Sequence, residues 1–110
     1  MKRGEIWHVD LNPIKGTEQA GRRFVIIVSA DAFNAAMRRP LVVPITLGGN
    51  APRNAGFAVS LMGTGLRTTG VALCDQVRAL DIRARGGQYV ETAPGYILDE
   101  IGARIAAILE

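Results

Sequence analysis

From Glu5 to Leu11 the chain alternates, with Trp7, Val9 and Leu11 on one side and His8 and Asp10 on the other. That is the pattern of a half-buried strand. Phe24 to Val28 is a continuous apolar run rich in β-formers, read as a central strand. Asp31 to Met37 reads as a short helix with Asp31 near its cap. Leu41 to Thr46 and Phe57 to Leu61 are two more strands, separated by LGGNAPRNAG, whose Gly, Asn and Pro mark a long loop. Thr69 to Leu80 reads as a fifth strand, and Arg83 to Gly87 as a loop followed by a short strand about Tyr89. Pro94 to Leu109 is the one long helix. Ile97, Leu98, Ile101, Ile105, Ile108 and Leu109 fall on one stripe, and Glu100 precedes Arg104 by four residues on another. Pro94 suits a first-turn position.

Strands followed by one terminal helix predict a mainly β fold. The expected form is a small, strongly curved antiparallel sheet or barrel with the helix packed across it. A chain of 110 residues suits one domain over 1–110. Its core is modest, so a partner subunit that covers apolar surface would help.

Charge adds a direction. The net charge is only +3. Between Lys15 and Arg85, however, ten basic residues face four acids, giving +6, while the last 25 residues carry −3. Eleven of the 13 basic residues are Arg, which grips phosphate through a planar fork. An anionic partner and an ordinary solvated surface are equally served by this composition. MKRGEIWHVD has no long apolar stretch behind its charges, so no signal peptide is expected. No apolar run is long enough to span a membrane. Cys74 is the only cysteine and cannot form an internal disulfide, which fits a reducing cytoplasm.

Several chemistries drop out. One His and one Cys cannot build a structural zinc site. No calcium-loop spacing occurs, and GGNAPRNAG lacks the Gly-Lys-Ser/Thr ending of a phosphate-binding loop. Neither Ser29 nor Ser60 sits on a nucleophile elbow. An enzyme here must work with Arg, Asp, Glu, Thr and Gln, with no metal or cofactor expected.

That set suits one reaction. RNA is cut without metal when its 2′-hydroxyl attacks the neighbouring phosphate, provided protons are moved and the phosphate charge is neutralised. Asp75, within GVALCDQVRAL, reads either as a base or binder at a cleft rim, or as half of an ion pair with a nearby Arg. Thr46 ends a strand, where its hydroxyl faces a cleft or caps a turn. GTEQAGRRF, residues 16 to 24, concentrates Glu18, Gln19, Arg22 and Arg23 on a connection bracketed by Gly16 and Gly21. Phe57, Tyr89 and Tyr96 are too scattered to form a base-stacking platform.

GEIWHVDLNPIKGTEQAGRR, VVPIT, GGNAPRNAGFAV, TTGVALCDQVRALDIRARGG and the terminal helix together resemble the MazF/PemK toxins, most closely the Kid/PemK branch. The resemblance implies a PemK-like, SH3-like barrel with a C-terminal helix, assembled as a homodimer. It implies a metal-independent, sequence-specific endoribonuclease that cuts single-stranded RNA, mainly mRNA, and leaves a 2′,3′-cyclic phosphate. Its implied partner is an antitoxin whose acidic, disordered segment covers the site. By motif, the MazF-branch catalytic pair falls on Arg23 and Thr46, the motif Glu on Glu18, and the PemK-branch base on Asp75. Thr17, Gln19, Arg22, Arg53, Phe57, Thr69 and Gln76 are the implied RNA contacts. Three positions depart from the PemK pattern: Leu73 replaces an Arg, Thr17 a His and Phe24 a Pro. These favour Arg23 with Thr46 as the catalytic core, with Asp75 sharing the work or binding RNA. Two alternatives remain. One is a topoisomerase poison resembling CcdB, although the chain ends Ala-Ile-Leu-Glu. The other is a nucleic-acid-binding relative that has lost its chemistry.

Overall fold

The computed structural model describes residues 1–11, 21–47 and 56–110. Along these the chain forms β1 (Glu5–Asp10), β2 (Arg22–Ile27), α1 (Asp31–Ala36) and β3 (Leu41–Thr46). Then come β4 (Ala58–Ser60), β5 (Val71–Leu73), one 3-10 turn (Cys74–Gln76), β6 (Arg78–Ala79), β7 (Gln88–Thr92) and α2 (Gly95–Leu109). The seven strands make one antiparallel sheet in the order β4-β5-β3-β2-β1-β7, with β6 also on β3.

Both faces of this sheet are covered, which explains why β2 and β3 read as unbroken apolar runs. Ile6, Ile26 and Val43 stand opposite one another across β1, β2 and β3. They join Ile45, Val59, Cys74, Ile97, Leu98 and Ile101 in one buried cluster beneath α2. The opposite face gathers Val9, Leu11, Val25, Ile27, Val42, Leu80 and Ile82 into a second cluster. Of the helix stripe, Ile97, Leu98 and Ile101 are buried, while Ile108 and Leu109 are exposed. Arg104 pairs with Glu100 at 3.7 Å and donates from Nη1 to the Gly56 carbonyl at 2.7 Å, tying α2 to the segment before β4. No helix among the described residues is long and apolar enough to cross a membrane.

The elements differ from expectation in informative places. β2 begins at Arg22, so Arg22 and Arg23 lie on a strand, paired with Asp10 and Val9 of β1. The expected fifth strand, Thr69 to Leu80, is interrupted. β5 and β6 both pair with β3, and the 3-10 turn bulges out between them. Asp31 makes no cap bond to its own helix; its Oδ1 accepts the Arg3 amide at 2.7 Å instead. Pro94 is the cap of α2, one residue earlier than a first-turn position.

Candidate active site

Thr46 ends β3 and is 7% exposed. It pairs with Val71, the first residue of β5. The residue before, Gly70, has φ +112°, and a Cβ there would lie 2.2 Å from the Thr46 carbonyl oxygen. Only glycine allows both the backbone angle and the approach. It thereby carries Thr68 and Thr69 past the end of β3.

On the other side of β3, Phe24 pairs with Ile45. One step further along this antiparallel register, Arg23 falls opposite Thr46. Arg23 Nε is buried and has no hydrogen-bond partner. Such a donor is costly to leave unmade. Arg23 also lines a cavity of about 280 Å³, together with Arg22, Phe24, Ile45, Leu47, Arg67, Thr68, Thr69 and Val90. The lining thus combines apolar side chains with three arginines and two threonines.

Glu91 of β7 fixes one wall. Its carboxylate accepts the Arg67 amide at 3.1 Å, the Thr68 amide at 2.7 Å and the Thr68 hydroxyl at 2.7 Å. Arg67 Nη2 also donates to the Val90 carbonyl at 2.8 Å. Burial works to raise the Glu91 carboxyl. The hydrogen bonds from Thr68 and Arg67, with the Arg67 charge, outweigh it and hold the group below its ordinary value.

Arg22 is held as firmly. Its Nε donates to His8 Nδ1 at 3.3 Å, and its Nη2 donates to the carbonyls of His8 at 3.1 Å and Gly86 at 3.0 Å. The His8 ring stacks on Phe24 with centroids 4.6 Å apart. Partial burial, then the Arg22 charge, lowers the His8 pKa below 6.5, so its Nδ1 is an acceptor near neutral pH. Arg22 also borders a second cavity, about 610 Å³, with Arg39, Arg78 and Arg85 facing Asp10 and Asp81.

Arg22, Arg23 and Thr69 share the lining of this cavity, and Thr46 lies beside them at the same end of β3 by register without lining it. Asp75, Gln76 and Phe57 lie elsewhere. Asp75 and Gln76 are exposed on the 3-10 turn, which passes the middle of β3, and neither lines the cavity. The Phe57 carbonyl accepts the Cys74 amide at 2.9 Å, which places Phe57 beside that turn. No ion pair to Asp75 occurs among the described residues. Leu73 is 1% exposed, so the position where the PemK branch has an Arg faces the interior here. Thr17, Glu18, Gln19 and Arg53 lie outside the described residues. Among the described residues, no group of three His, Cys, Asp or Glu side chains could hold a metal ion.

Sequence reading missed Arg67, Thr68, Glu91 and the contact of His8 with Arg22. GLRTTG did show an Arg and two hydroxyls between glycines. The Glu91 and His8 contacts depend on strand register and had no local signal.

Comparison with known proteins adds the family. Residues 2–109 match the model of the PemK-like, MazF-like toxin of type II toxin-antitoxin systems. Endoribonuclease PemK of Escherichia coli is 55% identical over 109 residues, spanning 99% of this chain and 82% of that protein. MazF of Deinococcus radiodurans superposes with a TM-score of 0.85 at 28% identity, over 99% of this chain and 96% of that one. The same organism's MazE–MazF complex (Form-II) gives 0.80 at 29% identity, over 99% and 95%.

Proposed function

The chain belongs to the PemK-like, MazF-like toxins of type II toxin–antitoxin systems and is an endoribonuclease toxin; we propose that it cuts single-stranded mRNA without metal, through attack of the RNA's own 2′-hydroxyl. One observation carries the mechanism. Arg23 Nε is a buried donor with no partner, on a strand position opposite Thr46 and beside a cavity rimmed by Arg22 and Arg67. A phosphate oxygen would satisfy that donor.

In this reading the 2′-oxygen bonds to phosphorus as the bond to the 5′-oxygen breaks. The products are a 2′,3′-cyclic phosphate and a 5′-hydroxyl end. Arg23 stabilises the charge that builds on the phosphate, and the Thr46 hydroxyl holds it in place. A carboxylate, Glu18 or Asp75, takes the 2′-hydroxyl proton and, once protonated, gives it to the leaving 5′-oxygen. Asp75 binds RNA or shares the proton transfer. Its exposed position apart from the cavity supports the binding role. Thr17, Gln19, Arg22, Arg53, Phe57, Thr69 and Gln76 contact the RNA. Residues 1–110 act as one toxin domain in the cytoplasm, paired as a homodimer. The partner is an antitoxin with an acidic, disordered segment. The MazE–MazF complex of D. radiodurans supports a protein partner for this chain.

The test is incubation of the purified protein with single-stranded and duplex RNA in the presence of a chelator, followed by mapping of the ends. Cyclic phosphate ends on single strands only are expected, because paired bases cannot be splayed out to be read. Cleavage that stops in chelator and returns with magnesium would refute the mechanism. RNA bound but never cut would make the protein a binding module.

A further inference from the structure

Phe24 is a large apolar ring left 37% exposed, adjacent on β2 to Arg23. An isolated exposed Phe means little. This one is backed, walled and held. The His8 ring lies against it at 4.6 Å with the planes tilted by 32°. His8 is itself pinned by Arg22, whose three hydrogen bonds to His8 and Gly86 leave the guanidinium little freedom. Phe24 lines the cavity together with Ile45, Leu47 and Val90, and Leu47 is 75% exposed at its mouth. Arg67 and Thr69 on the same lining carry hydrogen-bonding groups, while those of Thr68 are already committed to Glu91.

We propose that Phe24 is the stacking platform of a subsite that takes one unpaired RNA base beside the scissile phosphate, with His8 and Arg22 as the residues that position it. The inference rests on the nuclease reading above and adds a determinant of sequence preference to it. The volume, about 280 Å³, is at the small end of ligand pockets and suits one base rather than two. A lining that mixes apolar with polar side chains is what a flat heteroaromatic ring with polar edges requires. Successive strand side chains leave on opposite faces, yet at this end of β2 both Arg23 and Phe24 line the cavity. A nucleotide can therefore place its phosphate at Arg23 and a neighbouring base on the ring. His8 fixes the tilt of the platform, and Arg22 fixes His8.

Two measurements decide the matter. In the first, cut sites in a random single-stranded RNA pool are mapped for the parent, Phe24→Ala, Phe24→Leu and Phe24→Tyr. The preference at one nucleotide flanking the cut should fall roughly tenfold in the Ala and Leu variants, as for other lost base-stacking side chains, and persist in Tyr. An unchanged preference in all three would overturn the proposal while leaving the nuclease reading intact. In the second, 2′-deoxy oligonucleotides, which cannot be cut, carry one abasic position moved along the strand. One position should weaken binding to the parent and have no effect on binding to Phe24→Ala. A scan identical in both would again overturn the subsite. Should the parent leave RNA uncut, the nuclease reading fails and this scan still decides the subsite. Because the ring is only 37% exposed and packs on His8, Phe24→Ala should melt somewhat below the parent, and a single cooperative melt well above the assay temperature checks that the variant is folded.

Discussion

Arg23 sits where a buried donor goes unpaired in the free protein. If that donor meets a phosphate only as charge develops, Arg23→Ala should lower turnover by roughly 10²–10³ and change KM much less. Single-turnover cleavage is the measurement. Stability should not drop in proportion, because the side chain's Nε makes no bond that the variant would lose. A variant with near-full activity would transfer the role to Arg22 or Arg67. Thr46 and Asp75 give a second contrast. Thr46 is buried opposite Arg23, whereas Asp75 stands exposed on the 3-10 turn. Thr46→Ala should therefore reduce cleavage at least as much as Asp75→Asn. The reverse order would restore Asp75 as the principal base despite Leu73.

Among the elements, β7 and the segment before β5 depend on one carboxylate. Glu91 is the shared acceptor for two amides and one hydroxyl, and its side chain is 15% exposed. Glu91→Ala strands those donors and should cost about 2–3 kcal/mol, the scale of hydrogen bonds to a charged group. Thermal melting measures that loss, and RNA affinity should fall with it as the Thr68 and Thr69 wall loosens. The pH dependence follows from the sign of the shift. The folded carboxyl is held below its ordinary value of 4.5, so its contribution is complete above that pH and is lost as the pH falls further. Melting curves for Glu91→Gln should lose that acid-side slope.

The elements that sequence made legible are those whose burial follows one period. Alternation located β1, the apolar runs located β2 and β3, and the helical stripe located α2. Val71, Leu73 and Val77 kept the two-residue rhythm across the fifth strand and so concealed its break. The true signal was Ala72, Leu73 and Cys74 buried in succession, which only the fold displays. Two adjacent arginines read as loop because a strand that pairs at its end with Asp10 has no apolar mark there. Of the candidate site, the motifs singled out Arg23 and Thr46 but could not show their opposition across β2 and β3, which is a matter of register.

The whole molecule divides its charge. The span from Lys15 to Arg85 carries +6 and the last 25 residues −3. Two cavities share Arg22, and the larger one adds Arg39, Arg78 and Arg85. A surface of this kind attracts phosphates and carboxylate-rich peptides alike. An acidic antitoxin segment should therefore bind more weakly as salt rises, and its saturated complex should not cut RNA. Titration at two ionic strengths measures this. Salt-independent binding, or full activity in the complex, would place the antitoxin elsewhere.

The 3-10 turn also carries a clock. Cys74, the chain's single thiol, is fully buried beneath α2, and burial pushes its pKa up to about 11. Thiol reagents attack the thiolate, so the native chain should react only in the moments when α2 lifts from the sheet. Alkylation at pH 8 should be slower than in denaturant by roughly 10²-fold or more, and fast native labelling would show that the helix does not seal the core. Since Cys74 adjoins Asp75, the same rate measured with RNA or antitoxin bound would show whether a ligand at the turn slows the lifting of α2, with no probe added to the chain.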